Sequence, residues 1–128
     1  MKTKRIAALC LFLLAVFSGI CLARSTTQFY RNGDCVCLAD PTTLERVGDS
    51  VYEIWVTVEL SDATPIIIER VDMERYAYCR QRTFIWDGPN QVDLPTDDAG
   101  IWYVIQPGSM DEALYGYLHE LLRRKGKL

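Results

Sequence analysis

The feature that most constrains this chain is a change in the spacing of its apolar residues near Pro107. Residues 50 to 60, SVYEIWVTVEL, alternate between apolar and polar side chains, which predicts a strand with one apolar face. Residues 109 to 122 instead repeat their apolar side chains at the three- and four-residue spacing of a helix. A chain whose strands all precede one helix is predicted to be α+β, an antiparallel β-sheet with the C-terminal α-helix packed on one face.

The remaining strands are predicted from short runs rich in β-branched and aromatic residues. Two short extended pieces flank the NGD turn between residues 27 and 39, and DPTTLERVGD at 40 to 49 is expected to break the strand. Further strands are predicted in IIIERV, RYAYCRQRTFIW, QVDL and IWYVI. In the helix, Ser109 and Glu112 have the spacing of a capping box. The apolar stripe that follows consists of Met110, Ala113, Leu114, Tyr117, Leu118, Leu121 and Leu122.

The N-terminal segment has the layout of a signal peptide, with a basic start, MKTKR, and an apolar run over residues 6 to 23. We therefore predict a signal peptide at 1-23, with Cys21 and Ala23 before the cleavage point, followed by a single domain at 24-128. An uncleaved N-terminal anchor is the alternative, and it would be the only contact with a membrane. Lipidation is disfavoured, because Cys10 and Cys21 follow the large residues Leu9 and Ile20.

The charge of the predicted mature chain argues against nucleic acid as a partner. Lys2, Lys4 and Arg5 leave with the signal, so 11 of the 14 basic residues remain against 17 acidic ones, a net charge of −6. Nucleic-acid-binding proteins instead carry a basic patch or stripe.

Three cysteines of the mature chain, Cys35, Cys37 and Cys79, raise the choice between chemistry and structure. A C-x-C pair with one distant cysteine and one histidine is a poor zinc site, and it lacks the C-x-x-C spacing of redox motifs. A bridge within the pair would be strained, and exported chains favour disulfides, so we predict a bridge from Cys37 to Cys79, with Cys35 as the alternative to Cys37. A reactive site remains the alternative to a bridge. No metal and no cofactor are predicted.

No catalytic motif is present, and His119, the one histidine of the chain, is predicted to be a solvated helix residue. We therefore predict that the protein is not an enzyme. Trp55 lies on the polar face of its strand, and Tyr76, Tyr78, Arg80 and Arg82 share one face of theirs by period two. Because these residue types are enriched at interfaces, they form the predicted contact surface. Ordinary packing between neighbouring strands is the alternative.

The order of these segments, LADPTTLER, VYEIWVTVEL, RYAYCRQRTF and PGSMDEAL, resembles the surface-adhesin protein E family of bacterial exported proteins, from about residue 28 to 122. The resemblance implies an antiparallel sheet with a helix against it, at the bacterial cell surface or in the periplasm. It implies adhesin-like binding of host extracellular-matrix or plasma proteins, and it allows a homodimer.

The chain departs from the family at its end. Relatives often carry a helix-end cysteine that can bridge to the strand cysteine, whereas YLHELLRRKGKL has none. The pair at 35 and 37 is therefore expected to replace that partner of Cys79, and no ligand-binding residues are carried over. The functional alternative to adhesion is a periplasmic structural or accessory domain that interacts only with itself.

Overall fold

The computed structural model describes residues 26–128, and the predicted signal peptide lies outside this range. The described part is α+β, with the strands first and a helix, α1, at Met110–Arg124. The strands are β1 Thr27–Asn32, β2 Cys35–Arg46, β3 Val51–Glu59, β4 Ile66–Asp72, β5 Ala77–Asp87, β6 Asn90–Leu94 and β7 Trp102–Val104. The predicted fold class is thus confirmed.

All strands join one antiparallel sheet in the order β1-β2-β3-β4-β5-β6, which is also their order along the chain. The short strand β7 pairs with the first residues of β5, while β6 pairs with the last. Because β4 occupies the other side of β5, β6 and β7 lie end to end along the outer edge of the sheet.

The main core lies between the sheet and α1. Alternate residues of β3 point toward the helix, and Ile54 and Val56 are fully buried there. The helix contributes Leu114, Leu118 and Leu122, three members of the predicted stripe, each with no exposed surface. The alternation in β3 and the helical spacing in α1 therefore predicted the two sides of one core. Leu60, the last apolar residue of the alternating segment, does not join this core, because β3 ends at Glu59 and Leu60 is exposed.

The start of α1 has the predicted cap with one change. Ser109 Oγ accepts a hydrogen bond from the backbone amide of Glu112 at 3.2 Å. The Glu112 carboxylate reaches back to the amide of Gly108 at 3.0 Å, one residue before the position that a capping box uses. Gly108 has a φ of 77°, which glycine adopts without strain.

The predicted break after Ala39 is only a local irregularity, since β2 continues to Arg46. The pairing of β2 with β3 shifts between Asp40 and Glu45. Within this bulge the Asp40 carboxylate accepts hydrogen bonds from the amide and hydroxyl of Thr42, at 3.0 and 2.6 Å. The hydroxyl of Thr43 in turn accepts from the amide of Trp55 at 2.9 Å, so side chains replace the lost backbone pairing.

Candidate functional site

The sheet face opposite α1, here called the open face, carries a cluster of aromatic side chains. Trp55 packs edge-on against Phe84 at 5.4 Å between ring centroids, and Trp86 also packs edge-on against Phe84, at 5.6 Å. Phe84 is fully buried, Trp55 is half-buried and Trp86 is 50% exposed. The cluster therefore has a fixed centre and a solvent-facing rim.

A groove of about 360 Å³ runs over this cluster and crosses several strands. Its walls combine two tryptophans, two carboxylates, three threonines and two aliphatic residues: Trp55, Trp86, Asp40, Glu59, Thr26, Thr57, Thr64, Leu38 and Ile66. Trp55 was predicted as a contact residue, but Trp86 was missed. The alternation of Arg82, Phe84 and Trp86 in RTFIW was the sequence signal that could have found it.

Arg82 lies on the same face as the aromatic cluster. Its guanidinium carbon is 4.7 Å from the centroid of the Phe84 ring, within the range of a cation–π contact. The guanidinium also donates to Asp93 of β6 at 2.5 Å and to Gln91 at 2.8 Å. Arg82 therefore holds the β6 edge against the cluster, with its charge matched by Asp93.

The four residues predicted as one row, Tyr76, Tyr78, Arg80 and Arg82, do not share one face. The partner of Ile68 is Arg82, while the partner of the next residue, Glu69, is Arg80, so Gln81 is an extra residue in a bulge. An extra residue inverts the alternation. Arg80 and Tyr78 therefore point toward α1, whereas Arg82 points to the open face with Trp55. The period-two assignment of this row was wrong because it assumed an unbroken strand.

The tyrosines of that row attach the helix to the sheet. Tyr76 precedes β5 in a turn with a φ of 56°, and its hydroxyl donates to the Glu112 carboxylate at 3.1 Å. Its ring meets Tyr115 edge-on at 4.8 Å, and Tyr78 packs against Tyr103 at 5.6 Å. These contacts make both tyrosines structural.

Two buried carboxyl groups, Glu69 of the sheet and Asp111 of the helix, interact beneath the start of α1. Glu69 of β4 is fully buried and Asp111 is 4% exposed. One Glu69 oxygen accepts from Arg80 at 3.3 Å, while Glu69 Oε2 and Asp111 Oδ1 have no hydrogen-bond donor in the described structure. Burial, and then the interaction with Asp111, raise the pKa of Glu69 well above its usual value, outweighing the opposing effect of Arg80. The one acidic residue inside IIIERV was the signal for this group.

The predicted disulfide is not formed, and Cys35, Cys37 and Cys79 are free thiols. Cys37 lies in β2 within the core under α1, whereas Cys79 lies in β5 and pairs with Arg70 on the open face. The strands β3 and β4 separate them, a distance of about 14 Å at the usual strand spacing, while a disulfide needs Cα atoms within about 7 Å. Cys35 lies on the same strand as Cys37, so the alternative pairing is wrong as well.

The buried thiols of Cys37 and Cys79 are poorly suited to nucleophilic chemistry, since burial raises the pKa of both. Burial, followed by the neighbouring Cys35 thiol, raises the pKa of Cys37 to about 12, so Cys37 stays protonated at neutral pH.

His119 is exposed as predicted and stacks on Tyr115 at 6.3 Å. Within residues 26–128, no group of three or more His, Cys, Asp or Glu side chains is placed to hold a metal ion. In the same range, no helix has the length and apolar character needed to cross a bilayer.

Comparisons with protein-family models, with curated proteins and with solved structures returned no match. The resemblance to the surface-adhesin protein E family stays a prediction.

Proposed function

We propose that this chain is an exported, non-enzymatic protein of the bacterial cell surface or periplasm that binds a protein partner through the open face of its sheet. An extracellular-matrix or plasma protein is the partner class that the resemblance implies. Of the predicted contact surface, the proposal keeps Trp55 and Arg82, because Tyr76, Tyr78 and Arg80 are used inside the fold. It adds Trp86, which lines the groove with Trp55.

The observation that carries this proposal is the aromatic groove on the face that α1 does not cover. Tryptophans in partly desolvated positions contribute most to protein interfaces. Trp55 is fixed by Phe84, so it loses little conformational freedom on binding, and Trp86 presents half of its surface to solvent. The same strand residues that build the sheet thus supply a rigid surface for a partner.

The experiment is a binding measurement on purified protein against a panel of purified matrix and plasma proteins. We expect Trp55→Ala and Trp86→Ala to weaken binding to the partner at least tenfold, as hot-spot tryptophans do. Trp102→Ala is the matched control, because Trp102 is also half exposed but lies in β7 at the sheet edge and does not line the groove. Equal binding by wild type and both groove variants would refute the proposal.

A second candidate function, self-association alone, is favoured by the outer edge of β7. This strand pairs with β5 on one side, and no strand of the described part pairs with its other side. The edge is apolar, with Ile101, Trp102, Tyr103 and Val104 all exposed. Exposed apolar edges can pair with another chain, and a lysine placed on such an edge discourages that pairing.

Sedimentation of the wild type and of Val104→Lys separates the two functions. If the domain only associates with itself, the wild type is a dimer or larger, the lysine variant is a monomer, and no partner binds. If the open face is the functional surface, Val104→Lys retains wild-type affinity for the partner.

A further inference from the structure

The charges around the groove define what kind of side chain it would accept. Of its nine lining residues, two are acidic and none is basic. Glu59 is exposed at the end of β3 and forms no ion pair with any residue in 26–128. A cation entering the groove would therefore meet a carboxylate that no basic side chain of the described part already neutralises.

The aromatic rings provide the second half of a cation site. A lysine ammonium or an arginine guanidinium is attracted to the face of an aromatic ring, most strongly to tryptophan. The aromatic cluster already makes one contact of this kind, because the guanidinium of Arg82 lies over the Phe84 ring. The charge of Arg82 is paired with Asp93, outside the groove lining, so it does not satisfy Glu59.

We propose that the groove between Trp55 and Trp86 binds a lysine or arginine side chain of the partner protein. The ammonium or guanidinium group lies against the tryptophan rings and pairs with Glu59, while the aliphatic stem covers Leu38 and Ile66. This inference rests on the proposed function, since it specifies the partner chemistry at the same face. The net charge of −6 on the predicted mature chain also favours a basic partner by long-range attraction.

The test uses the protein purified from the full-length chain and the probe acetyl-Ser-Lys-Ser-amide. Its matched probes replace lysine by arginine or by norleucine, which keeps the aliphatic stem and removes the charge. Binding is followed by NMR through the indole N–H signals of Trp55 and Trp86, with Trp102 as the internal reference. We expect saturable shifts at the two groove tryptophans with the lysine or arginine probe, and at least tenfold weaker binding of norleucine.

Two variants with the same change of charge complete the test. Glu59→Gln should weaken binding of the lysine probe three- to tenfold. Glu74→Gln, in an exposed turn outside the groove, should leave the affinity for this probe unchanged. The inference is overturned if norleucine binds as tightly as lysine, or if the two variants behave alike.

The two proposals can fail separately. If partner binding depends on Trp55 but the charged probes bind no better than norleucine, the cation site is wrong and the binding face stands. If the lysine probe binds but Trp55→Ala and Trp86→Ala keep full affinity for the partner protein, the cation site is present and the proposed function is wrong.

Discussion

Replacing Glu69 by glutamine is expected to remove a pH dependence from the stability of the fold. Glu69 is fully buried between the sheet and α1, and burial together with Asp111 raises its pKa well above the usual 4.5. Glutamine has nearly the same shape, but it has no proton to lose. The variant therefore isolates the ionisation of one carboxyl group from the packing around it.

The direction of the pH dependence of stability follows from whether the folded or the unfolded chain holds the proton of Glu69. Between pH 4.5 and the raised pKa, the folded chain keeps a proton on Glu69 that the unfolded chain releases, so stability falls as pH rises. A full difference of one proton corresponds to about 1.4 kcal/mol for each pH unit. The unfolding free energy of Glu69→Gln relative to wild type should therefore rise above pH 4.5 with at most this slope, and it should be constant below pH 4.5.

Urea unfolding at intervals between pH 4 and pH 8 measures this difference directly. Glu53→Gln is the matched control, since Glu53 is a partly exposed strand glutamate that pairs with Arg70 at 3.0 Å. Its difference from wild type is the baseline for the comparison and is expected to stay flat, because the Glu53 side chain is partly exposed and has an arginine partner. A flat difference for Glu69→Gln as well would refute the assignment of a retained proton to Glu69.

Three further predictions concern the core, the thiols and one turn. Leu118→Asp should destabilise the fold by several kcal/mol, because a buried leucine is lost and a charge is buried, whereas His119→Ala should change little; similar urea midpoints would contradict the docking of α1. Iodoacetamide at pH 8 should label the half-buried Cys35 before the buried Cys37 and Cys79, and a Cys37–Cys79 peptide in non-reducing mass mapping would contradict the strand order. Asp72→Ala should cost about 1 to 3 kcal/mol, because the carboxylate accepts from the Ser50 hydroxyl and from the amides of Glu74 and Arg75; a urea midpoint equal to that of wild type would show these bonds to be dispensable.

The sequence was sufficient wherever one periodicity ran without interruption. The alternation through Ile54 and Val56 and the helical spacing through Leu118 each identified a buried face, because burial on one side imposes that period. Prediction failed at the bulges of β2 and β5. Nothing in RYAYCRQRTF marks Gln81 as the extra residue, and its effect is to place Arg80 and Arg82 on opposite faces.

The candidate site was predicted only in part, because only part of it lies where the strand alternation is regular. Trp55 lies in a regular strand, and its exposure on the polar face could be read directly. The disulfide prediction required knowing which strands are neighbours, and the separation of Cys37 from Cys79 by β3 and β4 depends on the whole sheet order. Pairing over such distances depends on tertiary structure and leaves no local pattern.

The agreement between the strand order in the sheet and the order along the chain has a consequence for folding kinetics. Each of the first five strands pairs with the strand that follows it, so hairpins can form locally with little loss of loop entropy. Docking α1 is different, because its contact between Tyr117 and Phe29 of β1 joins the two ends of the described chain. Hairpin formation is therefore expected to be fast, and closure of the helix over the sheet is expected to limit the folding rate.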